Sequence, residues 1–268
     1  NEDIFKYHPT LTLIKKTNKL AYDFTDSAYL STEKNDLIFY GSSFIDHKYF
    51  LAHFEDNLNY AVKSYGLDQI FVSYDLTKNQ HPDDMIIIGF LLEDLDRVLF
   101  DKRDFHKIKF TKLGNTYTLT NEPSEFENKK TNRNVFYLYN FIKNISFLAL
   151  NDFDYKRSEC RIDFKKNLFK FFIDEIINSS KELNQKIIFV TFNFQDDILE
   201  NNWRYLFIKD YLSSKNTIHL DTNEILRKYK KKNKLELQNY YSNEDLHLNK
   251  SGNKIITDEL KRIIEQYK

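Results

Sequence analysis

Short apolar runs alternate with amphipathic helical stretches along most of this chain. The runs are Leu37 to Tyr40, Leu58 to Val62, Met85 to Phe90, Ile187 to Phe192 and Thr217 to Leu220. Each has the length of a strand. Most are apolar at successive positions rather than at every second one, the mark of a strand covered on both faces. Between them the period changes. In Phe164 to Leu183, Leu168, Phe171, Phe172, Ile176 and Ile177 recur at helical spacing. In Ile255 to Ile264, apolar residues stand at 255, 256, 260, 263 and 264. Both stretches predict helices with one apolar face. Apolar strands alternating with helices predict a mostly parallel sheet covered on both sides. In such a sheet a reactive site lies beyond the C-terminal strand ends. Ser43, Gly66, Gly89 and the loop holding His247 stand at or just after such ends.

Two stretches break the alternation. The first 33 residues have no clear period and are expected to wrap the sheet. Residues around 100–131 are polar, with one short alternating segment at Tyr117 to Leu119, and predict an irregular insertion or small hairpin. The 268 residues contain five glycines and three prolines. No Gly/Ser/Pro-rich linker and no repeat divides them, so residues 1–268 read as a single α/β domain with a full core. A chain this poor in glycine keeps one where backbone geometry or close approach demands it. Gly41, Gly66, Gly89 and Gly252 fall at suspected site positions, and Gly114, in KLGNTY, reads as an ordinary turn.

Charge narrows the function. Forty basic and forty acidic side chains cancel, which argues against nucleic acid and against an anionic membrane surface. The dense basic run Lys228, Lys230, Lys231, Lys232 and Lys234 reads as the solvated end of a helix. One cysteine, Cys160, excludes an intrachain disulfide and a multi-cysteine metal site. The histidines at 8, 47, 53, 81, 106 and 219 have no metal-ligand spacing, so neither metal nor cofactor is expected. No apolar run has the length of a membrane span. The chain starts at Asn1 rather than Met, so a signal or anchor ahead of it is expected to have been removed. That anchor is the one route to a membrane. The abundance of Lys, Asn, Ile, Phe and Tyr hints at an AT-rich bacterial genome.

Chemistry concentrates in two places. EDLHLNKSGNK, Glu244 to Lys254, puts carboxylates two and three residues before His247. A carboxylate that close can hold one ring nitrogen and leave the other free, the orienting half of a Ser-His-Asp machine. DLIFYGSSF, Asp36 to Phe44, offers a serine at the end of a buried strand, where a tight turn would present its hydroxyl. Taken singly, Ser42 and Ser43 read first as a helix cap, and His247 as an exposed or capping loop residue.

Together these segments resemble the SGNH/GDSL hydrolases. GSSF looks like the family's GDS block. SYGLDQ, Ser64 to Gln69, is similar to the second block, whose glycine donates an N–H to the oxyanion. MIIIGFLLEDLDR, Met85 to Arg97, is similar to the third block, normally G-x-N-D. EDLHLNKSG looks like the fifth block, with its catalytic Asp and His. KIIFVTFNF and NTIHLDTNEIL are similar to the strands and helix ahead of the triad loop. The likeness covers roughly residues 30 to 268. A stretch like RDFHKIKF…LTNEP follows the third block in a branch found in bacterial capsule and lipopolysaccharide gene clusters.

The resemblance implies a three-layer α/β/α sandwich with a mostly parallel, flavodoxin-like sheet. It implies Ser43 as nucleophile, His247 as base and Asp245, with Glu244 as the alternative, as orienter. It implies an oxyanion hole from the N–H groups of Ser43 and Gly66. Two departures stand out. Ser42 replaces the Asp of GDS, and Glu93 stands in the usual oxyanion-hole Asn position, where an ionised carboxylate can only accept hydrogen bonds. The expected function is a serine ester hydrolase acting on an O-acyl ester of a small molecule or carbohydrate, with acetyl as the expected acyl group. An O-acyltransferase modifying a bacterial surface polysaccharide is the alternative, and a non-catalytic glycan-binding protein on the same scaffold the second. Trp203 is a candidate pocket wall. Arg97 and Arg204 are candidate ligands for an anionic glycan, with ion pairing as their plainer reading. A periplasmic or membrane-anchored extracytoplasmic location is expected over a cytoplasmic one.

Overall fold

The computed structural model describes residues 5–8, 12–15, 37–54, 57–99, 107–114, 116–121, 161–195 and 202–268. Cys160, most of the first 33 residues and much of 100–131 lie outside them.

Five strands form one parallel sheet: β3 (Leu37–Gly41), β4 (Asn57–Asn59), β5 (Met85–Leu91), β8 (Lys186–Phe192) and β9 (Ile218–Asp221). Their spatial order is β4-β3-β5-β8-β9. The central strands β3 and β5 are buried at every position, which is why their sequences read as unbroken apolar runs. Side chains leave the two faces alternately. Ile38, Tyr40, Ile86, Ile88, Phe90 and Phe189 enter one core, and Leu37, Phe39, Ile87, Leu91, Val190 and Phe192 enter the other.

Helices cover both faces. The first core is closed by α2 (Leu67–Thr77), the short α3 (Asp94–Arg97), α4 (Ile162–Glu182) and α5 (Trp203–Ser214). The second is closed by α1 (Lys48–Leu51), α6 (Thr222–Asn233) and α7 (Lys250–Tyr267). This is the three-layer α/β/α sandwich that the resemblance implies, built on the covered parallel sheet that the alternation predicts. The helix α4 shows what drives the layering. Leu168, Phe169, Phe172, Ile173 and Ile176 are buried on its inner stripe, and each such side chain contributes about 1.5–3 kcal/mol on burial. Phe172 also stacks on Phe71 at 4.7 Å and meets Phe110 edge-on at 5.0 Å.

Boundaries differ from the sequence pattern where side chains intervene. The C-terminal helix α7 begins five residues before the apolar stripe, because the Asn249 side chain accepts from Ser251 and Gly252 N–H at 2.9 and 3.0 Å. The strand read over Leu58 to Val62 is regular only to Asn59. There the Asn59 side chain turns back to accept from Ala61 N–H at 3.0 Å.

Two antiparallel hairpins stand outside the sheet: β1 (Phe5–His8) with β2 (Thr12–Lys15), and β6 (Lys109–Leu113) with β7 (Thr116–Asn121). Among the described residues no helix is long and apolar enough to cross a membrane.

Candidate active site

The loop after β3 is seated by two glycines. Gly41 and Gly89 are register partners on β3 and β5. A Cβ on Gly41 would come within 2.5 Å of Gly89 O and 2.7 Å of Ile45 Cγ1, and one on Gly89 within 2.5 Å of Ile45 Cδ1. The missing side chains thus make the slot into which Ile45 drops, pulling the Ser42–Asp46 turn onto the sheet. Asp46 N–H closes that turn on Ser42 O at 3.0 Å.

The two serines of the turn differ. Ser42 is fully buried and donates to Asp94 Oδ2 at 3.0 Å. The same carboxylate accepts from Leu91 N–H at 2.8 Å and from the Arg97 guanidinium. Asp94 therefore ties the end of β5 to the turn after β3. Ser43 is partly exposed, and no hydrogen bond joins it to another described residue. Phe44, next in sequence, is buried against Phe192 at 5.2 Å and Phe194 at 5.7 Å.

His247 arrives from the loop before α7. Tyr241 pairs with Leu248 across this loop, and Ser242 N–H donates to His247 O at 2.8 Å. Leu246, between Asp245 and His247, has φ 61° and is exposed, a left-handed conformation that a bulky residue adopts only under constraint. His247 Nδ1 lies 2.8 Å from the main-chain O of Asp245 and 3.5 Å from its carboxylate Oδ2. A carbonyl oxygen only accepts, so that bond places the proton on Nδ1 and leaves a lone pair on Nε2. Nε2 is buried and has no hydrogen-bond partner among the described residues. The ring packs on Phe44 at 4.6 Å and lies nearly parallel to His47 at 5.5 Å. Burial works against the charge on Asp245, but His247 N–H, the Ser242 hydroxyl and the two histidines hold its carboxyl below the usual range. Glu244 is exposed, and its N–H donates to the Ser242 hydroxyl.

The structure thus brings the Ser43 turn and the His247 ring together through Phe44 and His47. It contains no hydrogen bond between Ser43 and His247, a common looseness in unliganded sites. The other expected residues stand differently. Gly66 N–H donates to Gln69 Oε1 at 3.3 Å at the head of α2. A Cβ there would meet Asp68 Oδ1 and Lys107 Nζ at 2.7 Å, the buried ion pair that props this loop. Glu93 is half-exposed at the head of α3, with a carboxylate oxygen 3.9 Å from Arg97. Arg97 is buried on Asp94, and Arg204 lies 2.7 Å from Asp96, so both sit in ion pairs. Trp203 lies under Lys166 and Arg204 on α5, its buried indole N–H without a partner.

Two participants escaped the sequence reading. Asp94 was hidden beside the Glu93 position. His47, four residues after Ser43, was weighed only as a metal ligand. Among the described residues, no group of three or more His, Cys, Asp or Glu is placed to hold a metal ion. A cleft of about 450 Å³ beside β9, lined by His219, Asp221 and Tyr229 among others, includes none of the residues above.

No family model and no curated protein matches the chain. Solved structures do. An acetyl xylan esterase, AlAXEase, superposes with a TM-score of 0.50 at 13% identity, over 85% of this chain and 98% of that one. A GDSL-like lipase from Bacteroides thetaiotaomicron gives 0.44 at 10%, over 88% and 90%. Protein YXIM of Bacillus subtilis gives 0.49 at 13%, over 86% of this chain but 57% of its own, so the chain spans little more than half of that structure. At such identities the likeness is one of fold. The three-layer α/β/α fold of this chain is shared with that acetyl xylan esterase.

Proposed function

We propose that this chain is a serine ester hydrolase of the SGNH type, cleaving an O-acyl ester through an acyl-enzyme. The observation that carries the reading is the state of His247. Its Nδ1 is held by a carbonyl, and its Nε2 is shielded and unpartnered, on a ring packed against the residue next to Ser43. In this reading Nε2 takes the Ser43 proton as Oγ attacks the ester carbonyl carbon. The proton then passes to the leaving alkoxide as the acyl C–O bond breaks. Water, giving its proton to the same nitrogen, releases the acid and restores Ser43. The Asp245 carbonyl and carboxylate fix the imidazole and offset its charge.

The Ser43 N–H is the first oxyanion donor. Gly66 N–H becomes the second when Gln69 gives it up, and Glu93 supplies none while ionised. Each missing donor lowers the rate by about 10²-fold or more, so the enzyme is expected to be slow or narrowly matched to its substrate. The acetyl xylan esterase of like fold makes an acetylated carbohydrate the first substrate to try. A sugar hydroxyl in place of water turns the same acyl-enzyme into an O-acyltransferase.

A second reading, glycan binding without catalysis, is favoured by the engagement of Gly66 N–H with Gln69. Fluorophosphonate labelling read by intact mass separates the two. A single adduct that needs both Ser43 and His247 supports the enzyme. A folded protein that takes no label supports the binding protein.

A further inference from the structure

His47 stands where α1 begins, yet its side chain caps nothing. Its Nδ1 is buried without a hydrogen-bond partner. Such a group is costly and calls for an explanation. The ring lies 5.5 Å from that of His247 with 9° between their planes, inside the range of favourable offset stacking. It also sits 5.3 Å from Tyr49. So one turn carries Ser43, Phe44 and His47, and two of those three residues touch the ring of His247.

We propose that His47 is a positioning residue: its ring sets the plane of His247, so that Nε2 stays buried and open toward the Ser43 turn. The proposal rests on the reading of His247 as the base. Phe44 alone leaves that plane loose, because its ring meets the imidazole at a tilt of 32°. No proton passes through His47. It serves as a neutral, flat partner beside a ring that becomes cationic when it accepts the serine proton. The groups facing it fit that role. Burial holds His47 below its ordinary pKa, and His247, Lys63 and Lys48 push the same way against Asp245. A protonated His47 would set a second cation beside His247 and oppose the charge that catalysis places there.

The test is the second-order rate of fluorophosphonate labelling from pH 5 to 9 for the wild type, His47→Phe, His47→Gln, His47→Ala and His247→Ala. Thermal melts confirm that each is folded. His47→Phe keeps a flat ring and is expected within about threefold of wild type at alkaline pH. His47→Ala and His47→Gln are expected to label about tenfold slower or worse, as for a misplaced catalytic group. The acid limb is expected to be shallower in His47→Phe than in the wild type, because that variant has no His47 to protonate. Wild-type rates and an unchanged acid limb in His47→Ala, or in His47→Gln if the alanine variant does not fold, would overturn the proposal. Labelling that survives His247→Ala would instead overturn the base reading on which it rests.

Discussion

Ser42 donates its hydroxyl hydrogen bond to the fully buried Asp94 carboxylate, while Ser43 beside it has no hydrogen-bond partner among the described residues. Position 42, where the resemblance implies an Asp, is a serine bonded to the Asp94 carboxylate from the head of α3, just after β5. Replacing Ser42 with Ala is therefore expected to lower stability by about 1.5–3 kcal/mol, the worth of a buried hydrogen bond to a charge, with fluorophosphonate labelling retained. Ser43→Ala is expected to abolish labelling and to leave the urea midpoint nearly unchanged. Retained labelling in Ser43→Ala would move the nucleophile elsewhere. Glu93 allows a test in the opposite direction. In the Asn position an amide can donate where a carboxylate cannot, so Glu93→Asn is expected to raise the labelling rate by about tenfold or more. No gain would mean that position 93 does not face the developing oxyanion.

Between elements, buried charge does the positioning. Lys107 has no exposed surface and lies 3.3 Å from Asp68 Oδ1, and its ammonium also donates to Arg97 O at 2.7 Å. Burial pushes the Asp68 carboxyl up and the Lys107 ammonium down, each opposed by the other's charge. Lys107→Met strands that carboxylate and is expected to cost about 3–5 kcal/mol. Adding Asp68→Leu is expected to recover most of it, as urea melts of the single and double variants would show. A single variant as stable as wild type would mean that the pair props nothing.

The strands were legible because burial on both faces leaves unbroken apolar runs such as Met85 to Phe90. Ser43 and His247 were singled out because their blocks occur in order, and the structure packs Phe44 and His47, neighbours of Ser43, on the His247 ring. The pairing of Asp94 with Ser42 was not legible, since those residues are 52 positions apart and only the β3–β5 register brings them together. Nor was the stacking of His47 on His247, which depends on Ile45 seating the turn over two glycines. The end of β4 and the start of α7 were misjudged for a local reason: Asn59 and Asn249 bond the backbone with their side chains.

Across the whole molecule, two histidines outside the candidate site make stability depend on pH. His81 is buried between Tyr60, whose hydroxyl is 3.0 Å from its Nε2, and Asp84. Burial lowers its pKa from 6.5 to about 4. His219 bonds the Thr191 hydroxyl at 2.9 Å and is lowered to about 4, chiefly by burial. Both are neutral in the native state and protonate in the unfolded chain near 6.5. Between pH 6.5 and 4 the unfolded state binds more protons, so stability rises with pH across that window. The contribution is complete above pH 6.5 and is lost as pH falls toward 4. Each histidine accounts for up to about 3 kcal/mol at 1.36 kcal/mol per pH unit. His81→Gln is expected to remove roughly half of the difference in unfolding free energy between pH 7.5 and pH 4.5; an unchanged difference would mean that His81 protonates freely in the native state. This window overlaps the acid limb of any histidine-dependent reaction. Loss of labelling at pH 5 therefore reports on His47 and His247 only if near-UV circular dichroism shows the fold intact at that pH. Wild type and His81→Gln should then lose labelling along the same curve, since His81 touches neither ring.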